Sequence, residues 1–155
     1  MSDWITRLKQ EEAQNVDKAR DDTKLRLHKA AVVKAKMPAF WTQLRTCIGS
    51  DCIRLRYAFP DNSHRHCTLD NVQGDKAFRL INTIPPRVSL IVEYNADGQC
   101  IDISETRGSF MQPPEQYRIT TTNEEEIVIK YHEESITEPA QLAEHLCKRV
   151  AQIIS

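Results

Sequence analysis

"KLRLHKAAVVKAKMPAFW", residues 24–41, decides how the first third of this chain folds. Ala30, Val33, Met37, Phe40 and Trp41 recur at helical spacing and share one side of a helical wheel. Working outward, Trp4, Ile5, Leu8, Val16 and Ala19 before it, and Leu44 and Ile48 after it, fall on the same side, within about 120° of arc. A stripe that holds its phase over residues 4–48 predicts one long helix. Its middle is polar, because Glu12, Asn15, Thr23 and Arg26 lie on the same stripe. No Gly or Pro interrupts residues 1–37. Pro38 lacks an N–H and crowds the carbonyl of Lys34, which predicts a kink near residue 38. Asp21-Asp22-Thr23 is a second, weaker place to break.

Beyond Asp51 the apolar period shortens to two. Ile53, Leu55, Tyr57 and Phe59 alternate with smaller or charged residues and predict a half-buried strand. Pro60-Asp61-Asn62-Ser63 has turn chemistry, and a return strand is expected at 64–69. A third strand is expected at 76–82. Residues 87–94 and 99–105 predict a hairpin across Asn95-Ala96-Asp97-Gly98, and 116–121 with 126–131 a final pair. Thr137 is the expected N-cap of a last helix running to about residue 153, with Leu142, Leu146, Val150 and Ile153 on its apolar face. Lys148 and Arg149 complement its negative end. The fold class is therefore α+β: a two-layer, about six-stranded antiparallel sheet, with a long N-terminal and a C-terminal helix packed on one face. Residues 1–48 form the helix. Residues 51–155 form the sheet and last helix, one domain together with 24–48.

The 155 residues suit a single domain, with 28% charged side chains and a net charge of −1. No apolar run approaches membrane-spanning length, and the first residues lack a signal peptide's apolar core. Five scattered cysteines suit free thiols in a reducing compartment, so a cytoplasmic location is expected.

Charge is segregated. Residues 23–69 carry nine Lys/Arg against Asp51 and Asp61, a net +7, while 93–138 carry eleven Asp/Glu against Arg107, Arg118 and Lys130, a net −8. Nucleic-acid contact through 24–65 would use Lys24, Lys29, Lys34, Lys36, Arg54 and Arg56, which needs cations gathered along one phosphate track. The wheel scatters them instead, as for stems lying along a packed helix with their heads in water.

Leu25, Ala31 and Val32 lie away from the main stripe, so residues 25–33 are apolar nearly all round and suit burial on two sides. A rod of ~45 residues is about 67 Å long, and six strands span under about 30 Å. About half the rod overhangs its own domain. The overhang must dock on another copy, fold back at Asp21-Asp22-Thr23 or stay frayed, and homodimerisation through it is expected. Leu25 and Val32 are candidate partner contacts. Phe110 and Met111, in the connection 106–116, are two more, against the alternative that both tuck under the sheet edge.

Nucleophilic catalysis finds little support. Gly49-Ser50 and Gly108-Ser109 lack a nucleophile elbow, and Glu124-Glu125-Glu126 reads as a solvated hairpin tip. His64-Arg65-His66-Cys67, with Cys47 and Cys52 upstream, is the one cluster with metal-ligand residue types. On a strand His64 and His66 share a face that Cys67 does not, and no Cys-x-x-Cys pair accompanies them, so solvated histidines and a buried thiol are expected. No catalytic residue, cofactor or metal is assigned. The expected function is a non-enzymatic protein-protein interaction or adaptor role, ahead of nucleic-acid binding and then of an enzyme of unknown reaction.

Overall fold

The computed structural model describes residues 3–59, 65–71, 76–85 and 87–151. Helix α1, Asp3–Ala58, is a single element of 56 residues, about 84 Å long at 1.5 Å per residue. It passes without interruption through Asp21-Asp22-Thr23 and through Pro38. Val33, Met37, Phe40, Trp41, Leu44, Ile48 and Cys52 are buried, mostly three or four residues apart, and continue the stripe that the wheel predicts; Val32, off that stripe, is buried as well.

The strand expected at 51–59 does not form; residues 51–58 are the last turns of α1. Alternation over a short apolar run does not separate strand from helix. Here Cys52 lies one turn beyond Ile48 and prolongs the stripe, and Leu55 packs against the core. Ile53 and Tyr57, which the alternating pattern would bury, are 56% and 88% exposed. Extending a formed helix adds one hydrogen bond per residue without a new nucleus.

Among the described residues eight antiparallel strands follow: β1 (Thr68–Asn71), β2 (Ala77–Asn82), β3 (Val88–Asn95), β4 (Cys100–Arg107), β5 (Phe110–Met111), β6 (Glu115–Thr121), β7 (Ile127–Tyr131) and β8 (Glu134–Ile136). Their order is β1-β2-β3-β4-β6-β7-β8, with β5 folded back on the end of β4. The short β5 and β8 are additional to the strands expected. In the β3–β4 hairpin Asn95 pairs with Cys100 and its Oδ1 accepts the Gly98 N–H at 2.9 Å. The left-handed residue of that turn is Gln99, at φ 50.

The last helix, α2 (Pro139–Val150), begins two residues after the expected cap: Glu138 occupies the N-cap and makes no side-chain capping bond, and Pro139 opens the first turn. Leu142, Leu146 and Val150 are buried as its pattern requires, and Ile153 lies outside the described residues. Both helices cover one sheet face, where Phe78, Leu80, Leu90, Val92, Ile101, Ile103, Tyr117, Ile119 and Ile129 form the core. Trp41 packs on Phe78 and Tyr94 with ring centroids 5.2 and 6.0 Å away. The opposite face carries Glu93, Arg118 and Lys130, all exposed.

Candidate functional site

The first half of α1 is bare. Every residue from Asp3 to His28 is exposed, and burial begins only with Lys29 and Ala30. This arm is ~26 residues, about 39 Å long. It displays Trp4, Ile5, Leu8, Val16, Leu25 and Leu27, each 42–66% exposed. The arm leaves the body at a defined point. The tip between β6 and β7 straps α1 there: Glu125 Oε1 lies 2.8 Å from His28 Nε2, and the Glu125 carbonyl accepts from Lys36 Nζ. The acidic tip is therefore engaged by the basic segment, not simply solvated, and part of the charge segregation is resolved within the chain.

The sequence-derived contacts fall in different places. Leu25 is on the arm and open, whereas Val32 is 9% exposed and belongs to the body. Phe110 and Met111 are 74% and 80% exposed on β5, so they do not tuck under the sheet edge. Gly108, at φ +59, turns the chain ahead of them. Lys24, Lys34, Lys36, Arg54 and Arg56 are exposed and Lys29 is half-buried. Lys24 and Arg56 stand about 48 Å apart along α1, so these cations form no compact patch.

Three thiols meet in the body. The sulfurs of Cys52 on α1, Cys67 just before β1 and Cys147 on α2 all lie within 4.8 Å of one another, and all three residues are buried. Cys147 and Cys67 hydrogen-bond Cys52 and hold its thiol below the usual range, and the Leu69 backbone N–H adds to this. Hydrogen bonds to Cys147 and then to Cys52, with burial, push Cys67 up, while the bond to Cys52 and burial push Cys147 up against the opposing bond to Cys67. Of the sequence-derived cluster, only Cys52 and Cys67 come together. Cys47 is separate, His66 Nε2 turns to the Phe59 carbonyl at 3.0 Å, and His64 lies outside the described residues. Sequence spacing does not point to Cys147, because it lies far along the chain from Cys67 and no local motif marks it. Cys147 also lines a cleft of about 530 Å³ between the ends of the two helices, with Asp51, Arg54, Glu144 and Lys148 on its walls. Burial raises the Asp51 carboxyl, against the pull of Arg54.

A second buried cluster joins α2 to the sheet. Arg149 NH1 donates to Glu115 Oε2 at 2.9 Å and to the Tyr117 hydroxyl at 2.8 Å, and its NH2 to Glu105 Oε1 at 3.1 Å. The Tyr117 hydroxyl lies 2.8 Å from His145 Nε2. Because Tyr117 accepts from Arg149, its own proton points to His145, whose Nε2 then accepts. Burial, followed by Arg149, holds His145 below its ordinary pKa, consistent with the neutral ring this arrangement requires. Its polar groups satisfy one another, so the cluster reads as a structural clamp.

No protein-family model matches this sequence, and no curated protein or solved structure matches it. Among the described residues no helix is long and apolar enough to cross a membrane.

Proposed function

We propose that this is a non-enzymatic interaction protein that assembles with itself, each arm pairing antiparallel with the arm of a second copy. The observation that carries this reading is the arm: residues 3–28 are exposed all round and present six large apolar side chains to water. A lone helix of this length is marginal in water, and the arm's stripe is the direct continuation of the face that packs on the sheet.

The stripe also selects the pairing. Leaving aside Trp4 and Val16, its positions 5, 8, 12, 15, 19, 23, 26, 30 and 33 are spaced symmetrically about Ala19. A two-fold axis through Ala19 sets Glu12 opposite Arg26 of the second copy and Asn15 opposite its Thr23. Leu8 then meets its half-buried Ala30, and the pairing stops short of Val33, which its own sheet already covers. The polar residues that weaken the stripe as a core face thus become matched pairs, twice each by symmetry. A parallel, in-register pair would set the five cations of residues 24–36 against themselves. The antiparallel one sets that segment beside residues 2–14 of the second copy, which carry Asp3, Glu11 and Glu12 against Arg7 and Lys9.

Sedimentation of the full chain beside residues 23–155 tests the reading. A dimer that becomes a monomer on truncation supports it; two monomers, or two dimers, oppose it.

A further inference from the structure

We infer that Cys52, Cys67 and Cys147 form a zinc site, a three-thiolate centre whose fourth position faces the cleft between the ends of α1 and α2. Three sulfurs from three separate elements converge within 4.8 Å, each on a buried residue. Zinc–thiolate bonds of ~2.3 Å in a tetrahedral arrangement place sulfurs roughly 3.8 Å apart, so a small contraction accommodates the ion. A thiol used only as a small apolar filler has no reason to seek two others, and a disulfide would employ two and leave the third buried beside it. The positions differ in kind: Cys52 ends the stripe of α1, Cys67 precedes the edge strand, and Cys147 sits on the core face of α2. A metal there would tie both helices to the start of the sheet.

Cys147 is shared between the thiol group and the cleft, which gives the ion an outlet toward solvent. Among the described residues no carboxylate oxygen joins the three sulfurs within 4.8 Å, so water from that cleft takes the fourth position. On binding, each thiol that is still protonated releases its proton to solvent as its sulfur donates to Zn²⁺. No oxidant or reductant takes part.

The test uses the full chain, reduced and stripped with a chelator, titrated with Co²⁺ and then with Zn²⁺. The expected result is one Co²⁺ per chain with a sulfur-to-cobalt charge-transfer band, discharged by one equivalent of Zn²⁺. Cys67→Ala and Cys147→Ala each weaken binding by at least about tenfold, whereas Cys47→Ala with Cys100→Ala leaves it unchanged. Alkylation of the wild type read by mass spectrometry needs no variant, and zinc should protect Cys52, Cys67 and Cys147 together. A folded wild type without the band, protection of a different set, or a band indifferent to Cys67 and Cys147 overturns the site.

Discussion

Arg149, near the end of α2, places its guanidinium NH2 3.1 Å from Glu105 Oε1 on β4, with both side chains largely withdrawn from water. Sequence inspection assigns Arg149 to complementing the helix end; its geometry makes it the clamp between α2 and the sheet. Removing Arg149 leaves the buried Glu105 with only Arg107, Nε to Oε2 at 2.9 Å, to offset its charge, and takes the donor from the Tyr117 hydroxyl, which costs more than the pair is worth. Arg149→Ala should therefore destabilise the chain by about 3–4 kcal/mol. Arg149→Met combined with Glu105→Leu should cost clearly less. Urea unfolding of the two variants decides; a single variant no worse than the double contradicts the clamp.

The same cluster predicts an acid-sensitive step. In the folded chain His145 is held below the 6.5 of the free side chain, first by burial and then by Arg149 and Lys148, against Glu134 and Glu115. The unfolded chain therefore takes up a proton first as pH falls. Stability attributable to His145 is present above about pH 6.5 and declines as pH drops from there toward the lower folded value. Protonation also removes the acceptor for the Tyr117 hydroxyl. Urea midpoints measured at neutral and at mildly acidic pH should fall more for the wild type than for His145→Gln; equal slopes would remove His145 from the account.

Pro38 sits in the interior of α1 at an exposed position, where it supplies no N–H to the Lys34 carbonyl. Proline in a helix interior costs up to about 3 kcal/mol relative to alanine. Pro38→Ala should raise the thermal midpoint and stabilise the chain by roughly 1–3 kcal/mol. A neutral or harmful outcome would show that a bend at Pro38 is needed for packing.

Phe110 and Met111 stand in the open on a two-residue strand. Replacing both by Ser should change stability by less than about 0.5 kcal/mol. A loss above about 2 kcal/mol in chemical unfolding would place them in a packed cluster.

Much of this architecture is legible in the residues, for identifiable reasons. The stripe from Trp4 to Ile48 and the β3–β4 hairpin are strong periodic signals, and the structure has both. The end of α1 is misread because Ile53-Leu55-Tyr57-Phe59 satisfies a period of two, while Ile48-Cys52-Leu55 satisfies the helical one. Strands β5 and β8, of 2 and 3 residues, are too short to carry a period. The partners of Glu125, Arg149 and Cys147 are distant in sequence, and spacing along the chain holds no information about such encounters. The bare arm is different: its overhang is readable from length alone, because a rod of that length outreaches so small a sheet.

The arm carries the central claim, and the molar mass of the full chain by light scattering tests it most directly, read for the wild type, Glu12→Arg, and Glu12→Arg with Arg26→Glu. Pairing about Ala19 predicts twice 17.9 kDa for the wild type, a shift toward a single copy when the introduced arginine faces the partner copy's native one at both symmetric positions, and recovery of the dimer in the double variant. A wild type of 17.9 kDa at every concentration, or a dimer indifferent to all three sequences, contradicts it.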